Sequence, residues 1–308
     1  MASKVYITGA SGRLGAAVLS KTDAVPLVRK PSGLKNEIVT DFSNDQLRGI
    51  LRDARAVIHL AGVLDTLERK KLQDTNVGLT WRLVDSIPHG CRLIYSSSIS
   101  VYGKKLAKIP ANEETPARPD SDYARSKFEA ESIVRKHPLH VILRIGTIYG
   151  SRFEDYFMIL ERVKAGKMKL VGSGENRIPF VHADDVAAVI AAAVEKGQGT
   201  YVVAGEPLKQ KEIFAIAAKE LGVETPKKKI PLPLALIAAR ISAAIAKLSG
   251  KKPKITPEHI AVLGHDRVFD CSKAKGELGF APRPLEQGIK EMVQELKQRA
   301  VTIKNTNR

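Results

Sequence analysis

VYITGASGRLG, residues Val5 to Gly15, decides the fold. Its first residues form a short run rich in β-branched and aromatic side chains, its last open a helix at Arg13, and a glycine turn joins the two. Gly9 permits the sharp turn, Gly12 lets backbone approach a diphosphate, and Gly15 allows the helix to pack closely. The helix N-terminus offers free N–H groups and a partial positive charge. That charge contributes only about 0.3–1 kcal/mol per anion, so hydrogen bonds from those N–H groups must add to it. The spacing is G-x-x-G-x-x-G rather than the G-x-G-x-x-G of many dehydrogenases.

Outward from the turn, the first half of the chain alternates strand-like and helix-like segments, the pattern of a parallel sheet wrapped by helices. Strands are expected at Lys4 to Thr8, Val25 to Val28, Glu37 to Val39, Ala56 to Leu60, Leu93 to Ser96 and Val141 to Arg144. Such near-continuous apolar strands are buried on both faces. Helices are expected at Arg13 to Ser20, Asn44 to Arg52, Leu67 to Ser86 and Asp122 to Lys136. Beyond Gly150 the pattern becomes mainly helical, with Asp155 to Ala165, Ala183 to Glu195, Lys209 to Leu221 and Leu285 to Gln298 as helices and Tyr201 to Val203 as a short strand. The fold class is therefore α/β, a doubly wound parallel sheet with a smaller, mainly helical substrate lobe. Residues 1–147, with a returning segment near 181–205, are expected to bind a dinucleotide; residues 148–180 and 206–308 are expected to form the substrate lobe. The polar, basic tail Lys297 to Arg308 is expected to fray.

The 308 residues are 44% hydrophobic and 27% charged, ordinary for a globular protein and wrong for a disordered or fibrous one. Cys91 and Cys271 are too few for a disulfide scaffold and lack zinc-site spacing. With no signal-peptide pattern at the N-terminus, the expected home is the cytoplasm. The net charge of +17 invites nucleic acid, an anionic membrane or an anionic small molecule. No aromatic residues interleave with the lysine clusters 227–229 and 251–254, so nucleic acid is not expected. The apolar stretch Ile230 to Ser249 contains two prolines, Arg240 and Lys247. A central Arg or Lys costs roughly 2.5–3.5 kcal/mol in a membrane span, so no transmembrane segment is expected. The stretch reads as a buried amphipathic helix, with weak membrane-surface contact as the lesser reading.

The residues after the second strand discriminate between nicotinamide cofactors. An acid there would bind the adenosine ribose hydroxyls, whereas arginine pairs with a 2′-phosphate. Val28 is followed by Arg29 and Lys30, and Arg13 in the turn reaches toward the same phosphate. This favours NADP over NAD. Tyr123 and Lys127 lie four apart in DYARSKFEAE and so share one helical face. Ser96, Ser97 and Ser98 end a buried strand, where open α/β sheets place ligands. In this reading Tyr123 exchanges a proton with a carbonyl or alcohol oxygen, Ser98 hydrogen-bonds that oxygen, and the Lys127 charge lowers the tyrosine pKa while bonding the nicotinamide ribose. His59, after a buried strand, reads as a satisfied core histidine. His182 with Asp184 and Asp185 is not expected to be a metal site; Asp184 reads as a structural hinge or a helix cap.

TGASGRLG, Asp41 in VTDF, HLAG at His59 to Gly62, Asn76 in NVGLT, SSSISVYG, Tyr123 with Lys127, FVHADDVA at Phe180 to Ala187 and the late LGFAPRPLEQGIKEM occur in a familiar order. Together they resemble the extended short-chain dehydrogenase/reductases, the NAD-dependent epimerase/dehydratase family. The resemblance implies that Asp41 contacts adenine, that HLAG lines the cofactor and that Ser98, Tyr123 and Lys127 are catalytic. Residue reading and resemblance together give a cofactor-contacting set of Gly9, Ser11, Gly12, Arg13, Leu14, Gly15, Arg29, Lys30, Asp41, Phe42, Leu60, Ala61, Gly62, Asn76, Ser96, Tyr123, Lys127 and Ile148.

Departures from the family pattern narrow the expectation. Dehydratases of the family carry Thr-Asp-Glu where Ser98, Ile99 and Ser100 stand, so the acids for water elimination are missing. Nucleotide-sugar epimerases usually have Asn in place of Thr147 and Arg in place of Ile178. GSGENRIPFVHADD and VFDCSKAKGELGF resemble instead the branch of 3β-hydroxysteroid dehydrogenases and dihydroflavonol reductases, although Ile145 replaces that branch's usual proline. The expected function is hydride transfer between NAD(P) and a hydroxyl or ketone on a small-molecule substrate. The alternatives are a nucleotide-sugar 4-epimerase with tightly bound NAD and a non-catalytic dinucleotide-binding or assembly protein. The substrate pocket is expected from Tyr149 to Met158, the loop Val171 to Phe180 and the apolar helix. Homodimerisation through Leu67 to Ser86 and Asp122 to Lys136 is a family expectation.

Overall fold

A computed structural model describes residues 3–64, 69–249 and 257–306. The apolar runs become strands β1 (Lys4–Thr8), β2 (Val25–Val28), β3 (Ile38–Val39), β4 (Ala54–His59), β5 (Arg92–Ser98) and β6 (His140–Ile145). They are followed by β7 (Thr147–Tyr149), β8 (Leu170–Val171), β9 (Arg177–His182), β10 (Gly199–Val203), β11 (Pro207–Lys209) and β12 (Lys229–Ile230). Seven of them form one parallel sheet in the order β10-β6-β5-β4-β1-β2-β3. Because side chains alternate across a strand, each central strand feeds two cores. Ile7, Ile58 and Ile94 point to one, Tyr6, Val57 and Leu93 to the other. On the first face the helices Arg13–Leu19 and Ala183–Glu195 pack together; on the second lie Asn44–Leu51, Leu79–Ser86 and Asp122–Val134. Strand order reverses between β1 and β4, so the crevice at their carboxyl ends is the switch point of the sheet.

A third core gathers Tyr149, Phe157, Leu160, Ile213, Phe214 and Met292 from later segments. Around it stand two small sheets, β11-β9-β7 and β12-β8. These strands escaped the sequence pattern because two or three residues are too short to show alternation, and β9 carries Pro179. The expected strand Tyr201 to Val203 is longer, and as β10 it completes the main sheet.

Four expectations are corrected. Helix Leu67 to Ser86 starts at residues outside the described ones, and from Arg69 onward it is interrupted by a π-helical turn, Gln73–Gly78. The tail expected to fray is helical to Thr306, as part of Leu285–Thr306. Helix Ala183–Glu195 is capped by His182, whose Nδ1 accepts the Asp184 N–H at 3.2 Å, and not by Asp184. Asp185 instead pairs with Arg283 at 3.0 Å. The apolar helix, Leu232–Leu248, buries only Ala235 and Ala239 among its described side chains with large exposed residues opposite; it is not a buried helix.

Candidate active site

The glycine turn is built by exclusion. Gly9 has φ +74°, and a Cβ on it would lie 2.6 Å from the Ala61 nitrogen. Gly15 rests on the carbonyl oxygens of Gly9 and Ala10, which any side chain would strike. The turn and the segment after β4 are thereby pressed together, so Gly9 meets Leu60 and Ala61 across the switch point. Ser11 and Gly12 are exposed on the turn, and Leu14 is half-buried against the first core.

His59 locks this junction. It is fully buried between Thr8 and Thr80, 2.7 Å from Nδ1 to the Thr8 hydroxyl and 2.9 Å from Nε2 to the Thr80 hydroxyl. Thr80 donates its own proton to the Asn76 carbonyl at 2.7 Å, so the partners assign the tautomer: Nε2–H donates to Thr80 and Nδ1 accepts from Thr8. Burial, with the Lys127 charge, pushes the imidazole down to about 3, so it stays neutral. Asn76, in the π-helical turn, spends its amide on the Val63 N–H and carbonyl at 2.8 and 3.0 Å and on Ser126 at 2.9 Å. The loop after β4 is thus tied to the helix that carries Tyr123 and Lys127.

Seven of the expected residues line one cleft at the carboxyl ends of β4, β5 and β6: Leu60, Gly62, Ser96, Ser98, Tyr123, Lys127 and Ile148. The cleft is open to solvent, with a cavity volume of about 150 Å³. Lys127 is buried, donates from Nζ to the Ser96 carbonyl at 2.7 Å and lies 4.7 Å over the Tyr95 ring. Burial pushes its ammonium down to about 8, against the pull of Glu131. The Ser98 hydroxyl accepts the Ser100 N–H at 3.1 Å, which caps the 3-10 turn Ile99–Tyr102 and fixes the oxygen at the cleft wall. Gly62 faces the same space, and a Cβ there would lie 3.4 Å from the Lys127 Nζ. Ser97, expected with Ser96 and Ser98 at the strand end, also lines the cleft, as do Val63, Leu64, Ile145 and Gly146, which were not expected there.

At the end of β2, Arg29 and Lys30 are exposed, and neither meets a carboxylate among the described residues. Arg29 stands 6.0 Å from the ring of Phe42, which is buried and held at φ +61°, a conformation that costs a non-glycine residue energy. Asp41 is exposed beside it, and its bonds from Ser43 hold the carboxyl below the usual range. Arg13 pairs with Asp155 at 3.0 Å through side chains that are both largely exposed, and stacks 4.5 Å over Phe153.

Two features were invisible in the sequence. Glu131, fully buried, accepts from Ser97 at 2.6 Å, from Arg135 at 2.6 Å and from Arg144 twice, at 3.0 and 2.8 Å. Glu131 lies one helical turn beyond Lys127 and was the only local signal. Arg267, also buried, donates to the carbonyls of Ile99 at 2.8 Å and Lys104 at 3.3 Å and to that of Gly103, holding the segment after Ser98. Burial pushes this guanidinium down to about 10. A second cavity, about 500 Å³, lies between residues 105–109, 171–176, Leu232 and residues 263–266. The Asn176 amide on its wall has both ends buried and unpartnered. Of the expected pocket, residues 171–176 and Leu232 line this cavity, while the segment Tyr149 to Met158 does not. Among the described residues no cluster of three metal-ligating side chains occurs, and no helix is long and apolar enough to cross a membrane.

In strand order and helix placement this is a Rossmann fold, shared with a solved structure of gox2253 at TM-score 0.75 and 27% identity over 96% of this chain and 98% of that one. UDP-glucose 4-epimerase from Thermotoga maritima, solved with UDP-glucose, shares the fold alone: TM-score 0.75 at 21% identity over 97% and 100%. Residues 5–205 match the NAD dependent epimerase/dehydratase family, and the chain belongs to it, among the extended short-chain dehydrogenase/reductases. A 3beta-hydroxysteroid-dehydrogenase/decarboxylase of Arabidopsis thaliana is 30% identical over 92% of this chain and 69% of that protein. Of two other curated relatives the chain spans 63% and 52% of their length.

Proposed function

We propose that the protein is an NADP-dependent oxidoreductase acting on a hydroxyl or ketone of a small molecule, with Ser98, Tyr123 and Lys127 as its catalytic residues. The observation that carries this reading is the shared cleft at the carboxyl ends of β4, β5 and β6, where those three side chains meet Gly62 and Ile148. The cofactor fits what is present: a Cβ at Gly62 would crowd Asn76 and Lys127, and the glycine turn abuts the cleft wall. Gly9, Ser11, Gly12, Leu14 and Gly15 would hold the diphosphate, and Asp41 and Phe42 the adenine. Leu60, Ala61, Gly62, Ser96 and Ile148 would line the rest of it, with Asn76 as a positioning residue. When bound, the nicotinamide supplies or accepts the hydride.

The chain's own part is proton management. Tyr123 gives or takes the proton of the substrate oxygen, and Ser98 holds that oxygen in line. Lys127, charged in a water-poor site, stabilises the phenolate. General acid–base action of this kind is worth about 10²–10⁴ in rate. Arg29 and Lys30, unpaired with carboxylates, support a 2′-phosphate and hence NADP. The second cavity, with apolar Leu106, Ile109 and Leu263 beside the unpartnered Asn176 amide, supports a substrate of mixed polarity.

The test is Tyr123→Phe on purified protein, after the bound dinucleotide has been identified by mass. Turnover should be abolished with cofactor affinity nearly unchanged; undiminished turnover refutes the role of Tyr123. Tightly retained NAD with no net cofactor change on turnover would make the protein an epimerase instead.

A further inference from the structure

Helix Leu232–Leu248 leaves one face uncovered, and the surrounding sequence indicates what covers it. Leu234, Ile237, Ile241 and Ile245 are 56%, 50%, 56% and 61% exposed. Their spacing of three, four and four residues aligns them in one stripe, about 16 Å long at 1.5 Å per residue. The opposite face, with Ala235 and Ala239 buried, packs on the helix Pro257–Val262. From Thr225 to Pro257 the chain has eight lysines and arginines and not one aspartate or glutamate. A second copy of the chain laid on this stripe would bring two such uncompensated basic segments together, and like charges across an interface repel. An apolar stripe rimmed by one sign of charge is matched by a surface that is apolar within and anionic at its rim.

We propose that this helix docks the protein onto an anionic lipid bilayer, lying in the plane of the interface with the stripe in the acyl boundary and with Arg240 and the preceding Lys227, Lys228 and Lys229 among the phosphates. Leu232, which lines the second cavity, lies on the same face as Ala235 and Ala239, so docking through the stripe leaves that cavity on the side of the helix turned away from the bilayer. The inference stands apart from the reading of the cleft, since it needs neither cofactor nor turnover.

The experiment is sedimentation of the full chain with vesicles of phosphatidylcholine alone and of phosphatidylcholine mixed with phosphatidylglycerol, at low and high salt. The protein should pellet with the mixed vesicles at low salt and remain in solution with the neutral ones. Joint Ile237→Asp and Ile241→Asp substitution should weaken partitioning by on the order of a hundredfold. Joint Lys227→Gln, Lys228→Gln and Lys229→Gln substitution should weaken it about fivefold per lysine. Melting temperatures should be unchanged, because all five positions are exposed. Absence of pelleting, equal pelleting with both vesicle types, or a double aspartate variant that pellets like the parent overturns the proposal. A stripe-dependent dimer without vesicle binding does so too, and names a second copy as the occupant.

Discussion

Replacing Arg144 by Met tests how the helix carrying Tyr123 and Lys127 is held. Arg144 is 4% exposed and supplies two of the four hydrogen bonds that reach the fully buried Glu131 carboxylate. Methionine fills similar volume but leaves that carboxylate with Ser97 and the half-exposed Arg135. Breaking one partner of a buried ion pair costs about 3–5 kcal/mol, and the surviving Arg135 bond places this case near the lower end, at about 3 kcal/mol. Against a total stability of roughly 5–15 kcal/mol this is a large loss. The double variant Glu131→Leu, Arg144→Met leaves no charge buried alone and should be more stable than Arg144→Met by itself. Urea unfolding with an unchanged slope measures both. A cost under about 1 kcal/mol for Arg144→Met, or a double variant less stable than the single, would refute the reasoning. The acid limb gives an independent check. Burial pushes the Glu131 carboxyl up, but the bonds and charge of Arg144 outweigh it and hold the group below the usual range. Its stabilisation is therefore complete above the unfolded value of about 4.3 and is lost as pH falls through the folded one. In Arg144→Met the loss should begin at higher pH.

Lys127 predicts the opposite limb. Folded protein releases this proton near 8 and unfolded chain near 10.4, so the unfolded state holds more protons between them and stability rises with pH by about 3 kcal/mol. The difference between parent and Lys127→Met across that window isolates the rise, and parallel curves would exclude it. Arg29→Ala should weaken NADP binding at least tenfold and leave NAD binding unchanged; calorimetric titration with both cofactors checks this, and an equal loss for both would remove Arg29 from the 2′-phosphate site. Gly15→Ala sets a methyl against the Gly9 and Ala10 carbonyls, so it should lower the melting temperature and dinucleotide affinity together. A normal melting temperature would show that the helix is free to shift.

Much of this was legible in the sequence where the cause is local. The strand, turn and helix from Lys4 to Leu19 follow from β-branched residues, three glycines and helical period, and the structure starts that helix at the expected Arg13. Four-residue spacing fixed that Tyr123 and Lys127 share a helical face. The cleft they line also needed Ser98 at the end of β5, which parallel-strand logic anticipated. The π-helical turn at Asn76, the short strands β7 to β9 and the path of Arg13 were not readable. Each depends on partners far along the chain, such as Asp155, which is 142 residues from Arg13.

By itself, then, the sequence determined the parallel sheet, its glycine turn and the residue types that can exchange a proton at a carbonyl. Those follow from short-range periodicity and from side-chain chemistry. Only the tertiary structure decided which charges are buried and which apolar residues are not. Glu131 is an ordinary helical acid until β6 brings Arg144 against it, and Leu234 to Ile245 look like core until packing leaves their stripe uncovered. Burial is a property of what lies opposite a residue, and no local pattern records it.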